Sequence, residues 1–82
     1  MNMQKELLDI ARQIPQFTEK NHKEINEFLE YDEWGIALEI VCSILLEEDI
    51  VISKELFISI KNIGEIMEMD SSNWEVLIHL VR

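Results

Sequence analysis

Glu33-Trp34-Gly35-Ile36-Ala37-Leu38-Glu39-Ile40-Val41-Cys42-Ser43-Ile44-Leu45-Leu46-Glu47-Glu48 is the stretch on which the fold turns. Inside it only Glu39, Ser43 and Glu47 are polar, and they recur at i, i+4 and i+8. That spacing places them on one stripe of a helix. Between the terminal Glu33 and Glu48 every other position is apolar or glycine, so residues 33–48 are expected to form a central helix buried on most sides. The run is interrupted by Glu39 and falls short of the roughly 20 residues that cross a bilayer.

Outward from this helix the same helical spacing recurs. Met3, Leu7, Ile10, Ala11 and Ile14 form one apolar face, which Pro15 terminates. Asn21, with Glu24 three residues on, reads as a helix start, followed by a short face of Ile25, Phe28 and Leu29. On the other side, Ile50-Val51-Ile52 is β-prone but short and reads as a buried connector. Ser53 is a candidate N-cap. Leu56, Ile60, Ile63 and Met67 line a fourth helix, with Ile58 on its outer side. Ser72 and Glu75 suggest a capping box for a fifth, facing inward through Trp74, Leu77, Ile78 and Val81.

The expected fold is therefore all-α: residues 1–82 as one domain, a compact bundle of four to five short helices around helix 33–48. Leu38, Val41, Leu45, Ile60, Ile63 and Trp74 should be buried. The composition agrees, with 48% hydrophobic residues and only Gly35, Gly64 and Pro15 as chain breakers. A lone Cys42 inside an apolar run suits a reducing, cytoplasmic setting. The first fourteen residues carry Lys5, Glu6, Asp9 and Arg12, so no apolar signal core is expected there.

Charge carries the functional information. The chain holds 17 acids against 7 Lys and Arg, a net charge of −10. Residues 24–53 contain nine of the acids and neither Lys nor Arg. Such a segment repels phosphate, which argues against direct nucleic-acid binding and against an anionic membrane surface. It favours a basic protein partner through long-range steering. Our candidate contact residues are Glu30, Asp32, Glu33, Glu39, Glu47, Glu48 and Asp49, each placed to pair with a Lys or Arg of that partner. Glu48 and Asp49 also oppose the dipole at a helix C-terminus, a local cost that hints at a role other than stability.

Catalytic and cofactor chemistry find little support. His22 and His79 fall in different helices, and Cys42 reads as a packed core thiol. No Cys/His metal spacing, no EF-hand loop after Glu47-Glu48-Asp49 and no Gly-rich phosphate loop is present. Asp70-Ser71 superficially matches the phosphopantetheine site of acyl carrier proteins. Only eleven residues follow it, too few for the rest of such a carrier. We expect no enzyme activity, no metal and no cofactor.

One resemblance joins these threads. Glu33-Trp34-Gly35-Ile36-Ala37-Leu38-Glu39-Ile40-Val41-Cys42 resembles the signature of MafI-type immunity proteins, a family overlapping the immunity proteins of contact-dependent growth inhibition. Ile52-Ser53, Ile63-Gly64 with Met67, then Trp74 and Leu77 fit in order, so the likeness spans about residues 25–80. It departs at Asp32, where the pattern expects Gly. The resemblance implies an all-α immunity protein that neutralises a cognate bacterial toxin domain, often an RNase and in some cases of the EndoU type. An acidic protein is suited to filling the basic cleft of an RNase and excluding its substrate. The alternative expectation, from the charge alone, is an acidic helical adaptor that docks a basic partner unrelated to toxins.

Overall fold

The computed structural model describes all residues, Met1–Arg82. Five helices follow one another: α1 Met3–Arg12, α2 Glu19–Glu30, α3 Trp34–Glu47, α4 Lys54–Ile66 and the single turn α5 Ser72–Glu75, after which Ile78–Leu80 form a 3-10 turn. The protein is an all-α bundle. Helix α3 touches each of the other four helices, so the most apolar helix of the sequence is also the central one. Twenty apolar residues join in one continuous core with no buried polar or charged residue. Leu38, Val41, Leu45, Ile60, Ile63 and Trp74 all belong to it.

Helix α3 is less enclosed than its composition suggests. Ala37, Leu38, Val41, Cys42 and Leu45 are buried, whereas Ile36 and Leu46 share the exposed side with Glu39, Ser43 and Glu47. The reason is geometric. Neighbouring helices cover only part of a helix circumference, and the other four cover the arc centred on Leu38 and Val41.

Short side chains set the helix starts. Asn2 accepts from the Lys5 backbone N–H at 3.1 Å, and Ser53 accepts from the Leu56 N–H at 3.0 Å. Helix α2 begins earlier than the Asn21–Glu24 pair suggests. Thr18 Oγ1 accepts from the Asn21 N–H at 3.1 Å, while Asn21 Oδ1 accepts from the Thr18 N–H at 3.0 Å. Asn21 is thus the third helical residue of a reciprocal cap rather than the cap itself.

The last helix also differs from expectation. Ser72 and Glu75 make no capping box. Instead Asp70 Oδ1 accepts from the Ser72 N–H at 2.8 Å, and this bond holds the Asp70 carboxyl below the usual range. After one turn the chain tightens into 3-10 geometry, whose period of three carries Ile78 out to solvent and Leu80 into the core. Val81 is only half-buried, and forms an isolated parallel bridge with Ile52. The Ile52 N–H donates to the Leu80 carbonyl, and the Arg82 N–H donates to the Ile52 carbonyl, both at 3.0 Å. The connector is therefore extended and paired: Ile50 and Ile52 point inward and Val51 outward.

Helices α2, α3 and α4 end in the same way. In α3 the Ile50 N–H donates to the Leu45 carbonyl at 3.0 Å and the Asp49 N–H to the Leu46 carbonyl at 3.3 Å. In α2 the Glu33 N–H reaches Phe28 at 2.9 Å and the Asp32 N–H reaches Leu29 at 3.2 Å. In α4 Met69 bonds to Gly64 and Glu68 to Glu65, both at 3.0 Å. These paired bonds are Schellman motifs, which require a left-handed residue just past the helix and usually recruit glycine. Here the left-handed positions are Asp32 (φ 57°), Asp49 (φ 50°) and Glu68 (φ 57°). Glycine is the usual residue for the conformation at position 32, and Asp is among the few others that tolerate it.

Glu68 is the costliest of the three. A longer side chain gains nothing from the left-handed region, and its charge opposes the helix dipole. Glu68→Gly should therefore raise stability by roughly 0.5–1 kcal/mol, after allowance for the greater freedom of glycine in the unfolded chain. Thermal melts monitored by circular dichroism would show it, and a lower midpoint for Glu68→Gly would refute the strain argument.

Candidate protein-interaction surface

The seven acidic candidates are all exposed, and the backbone fixes where each stands. Glu30 is the last residue of α2, Asp32 follows it in the left-handed turn, and Glu33 precedes α3 without capping it through its side chain. Glu39 lies midway along α3 on its outward arc. Glu47 ends α3, Glu48 follows as its C-cap residue, and Asp49 takes the left-handed position. The structure therefore divides the set. One group surrounds the start of α3 and another its end, about 20 Å away at ~1.5 Å per residue. Glu39 stands between them, on the same outward arc of the helix as Glu47.

A Cβ added at Gly35 would lie 3.9 Å from the Met69 sulfur, at ordinary contact distance. This brings the end of α4 beside the start of α3. Glu68, one residue earlier, thereby joins the Glu30–Glu33 end of the bundle. Sequence spacing concealed that proximity, because 35 residues separate Glu68 from Glu33 and only packing brings them together.

None of these acids is neutralised within the chain. The molecule contains a single ion pair, Lys5 Nζ to Asp9 Oδ2 at 2.8 Å, on the exposed face of α1. Asp32 and Asp49 carry a second duty as the turn residues described above. Their charge is available to a partner, but their replacement also alters a helix end.

Apolar side chains share the surface with the acids. Ile36 and Leu46 flank Glu39 and Ser43 along α3, and Val76 after α5 stands across from them. Glu39, Ser43, Leu46, Asn73 and Val76 line a shallow groove of 140 Å³ between α3 and α5. The charge distribution gives no sign of this apolar component. A signal was nevertheless present. Ile36 and Leu46 fall three residues from Glu39 and Ser43 respectively, on the very stripe that the polar residues mark as outward.

The remaining chemistry-bearing residues are dispersed. Cys42 is buried, and desolvation, reinforced by the nearby charge of Glu39, pushes its thiol up to about 12. It stays protonated and is a poor nucleophile at neutral pH. The His22 ring packs edge-on against Phe17 with centroids 6.0 Å apart. His79 is exposed on the 3-10 turn. No three His, Cys, Asp or Glu side chains converge where they could hold a metal ion. No helix is long and apolar enough to cross a membrane. Comparison with protein-family models, with curated proteins and with solved structures finds no match to the chain.

Proposed function

We propose that this chain is an immunity protein that binds a cognate bacterial toxin domain in the cytoplasm and occludes its basic active-site cleft. The observation that carries the reading is the acid-only segment 24–53, wrapped around α3 and left without an internal counter-ion. Self-repulsion makes such a surface unfavourable in isolation, and a cationic partner removes that cost. The signature resemblance of residues 33–42 to MafI-type proteins supplies the biological context, and an RNase, of the EndoU type among others, supplies a cleft of the required sign. The chain acts by occupying that cleft, with no reaction of its own. Glu30, Asp32, Glu33, Glu39, Glu47, Glu48 and Asp49 are the proposed contacts.

Three acids in left-handed positions at helix C-termini add support. Each costs stability twice, through conformation and through the dipole. Retaining costly residues on a surface is the pattern of a stability–function trade-off.

The decisive experiment searches the adjoining genes for a toxin-like reading frame and co-expresses the chain with the domain it encodes. We expect growth to be restored, and the purified nuclease to be inhibited at one-to-one stoichiometry with faster association at low salt. Absence of inhibition, together with stable binding to a basic protein lacking toxicity, would instead establish the adaptor reading.

A further inference from the structure

We infer that the docking face is the outward arc of α3 together with Val76, and that it receives a basic amphipathic helix whose Lys or Arg meets Glu39 between two apolar anchors. This assignment rests on the immunity reading only for the biological identity of the partner. The face itself is argued from geometry and charge.

Ile36, Glu39, Ser43 and Leu46 are spaced i, i+3, i+7 and i+10, the spacing of a helix–helix seam. All four are exposed, with Ile36 and Leu46 at 39% and Val76, beside Leu46 in the groove, at 45%. The stripe carries an apolar residue at each end and polar residues between, and no element of this chain buries it. Single exposed apolar residues are unremarkable. Leu46 and Val76 line the groove with Glu39, and Ile36 stands one turn before Glu39 on the same arc, so exposed apolar side chains lie on both sides of one unpaired carboxylate, the arrangement of interface anchors around a charged centre.

Charge identifies the occupant. Glu39 and Glu47 lie on the stripe, and neither has an ion-pair partner. A second copy of the chain is disfavoured, because a two-fold contact sets each patch against itself and opposes carboxylates on chains of charge −10. A helix carrying Leu-like residues on one face and cations among them satisfies both components of the surface together.

The test titrates the isotope-labelled full chain with three synthetic helical peptides of equal length, following backbone amide shifts. One alternates Leu and Lys in a heptad pattern, one replaces its Leu by Gln, and one replaces its Lys by Glu. We expect the Leu/Lys peptide to bind saturably and to shift amides of residues 36–47 and 72–76. The Gln/Lys peptide should bind about tenfold more weakly or worse, and the Leu/Glu peptide should not bind. Glu39→Lys and Leu46→Gln, both at exposed positions, should each weaken the Leu/Lys complex by about tenfold, whereas Glu19→Lys, at the exposed start of α2 and outside the proposed contacts, should not. Equal binding of the Leu/Lys and Gln/Lys peptides, or shifts centred elsewhere, would overturn the assignment. The two readings can fail separately. Seating on this face without neutralisation of any co-encoded toxin would retain the face and remove the immunity function. Neutralisation that survives Glu39→Lys, with peptide shifts elsewhere, would retain the function and remove the face.

Discussion

Trp74→Ala should leave little folded protein at physiological temperature, and Gly64→Ala should lower the melting midpoint by several degrees although it adds only one methyl group. Trp74 is 3% exposed, and the Cε3–Cζ3–Cη2 edge of its indole closes on α4 at Gly64. A Cβ on Gly64 would run into Cζ3 of the ring and lie 2.7 Å from Cε3 and 3.0 Å from Cη2. Truncating a buried Trp typically costs about 3–5 kcal/mol. A domain of this size holds only about 4–12 kcal/mol in total. For Gly64→Ala two effects compete. Alanine is the better helix former by roughly 1 kcal/mol. Overpacking a closed site costs about 1–3 kcal/mol or more, and the rigid indole is enclosed by core on its other side. The clash wins, with a net loss of up to about 2 kcal/mol, or roughly 4–15 °C in the midpoint. The two sites are coupled, so Gly64→Ala should cost much less in a Trp74→Leu background, where the ring is gone. Melts of the four proteins would measure that coupling. A rise in midpoint for Gly64→Ala alone would show that the indole does not occupy this position.

On the proposed immunity function, reversing charge along α3 should abolish protection against the cognate toxin while leaving the fold intact. The variant is Glu39→Lys with Glu47→Lys and Glu48→Lys. All three side chains are exposed and unpaired, so no internal contact is lost. Two of them stand at a helix C-terminus, where a cation is favourable to the dipole. Asp49 is deliberately spared, because its left-handed conformation would confound a charge effect with strain. The helical circular-dichroism signal should therefore be kept, and the midpoint should not fall. Juxtaposed like charges at an interface are expected to cost several kcal/mol, which is several powers of ten in affinity. Cells expressing the toxin should die despite normal levels of the variant. Glu6→Lys with Asp9→Lys is the control, changing charge on α1 and breaking only the exposed pair with Lys5, a contact of little energetic weight. Full protection by the α3 variant, with failure of the α1 variant, would move the docking face to the first helix.

Much of this architecture follows from the chain alone. The apolar density of residues 33–48 already implies a central helix, because no other stretch offers enough hydrophobic surface for the rest to pack upon. The inward faces of α1, α2 and α4 follow from the same period, as does the acidity of the segment that surrounds α3. Local hydrogen bonding was harder to read. Thr18 and Asn21 are each competent caps, and the sequence does not say which one the helix adopts. Asp70 displaces the expected Ser72–Glu75 box by accepting the Ser72 N–H from two residues earlier.

What only the tertiary structure decided is how much of α3 its neighbours leave uncovered and what lies against what. Amphipathic pattern reports the preference of each residue, but exposure depends on how four short helices distribute around one. Ile36 and Leu46 were apolar enough to be buried, and they are exposed because no partner helix remains to cover them. Glu68 reaches the Glu33 end of the bundle through the packing of Met69 on Gly35, a relation without any local signature. Gly64 matters because an indole from the next helix occupies the space a side chain would need. The separation of six of the seven acids to the two ends of a helix about 20 Å long, with Glu39 between them, likewise arises from the rigidity of α3. Composition records charge, and only the fold assigns it a position.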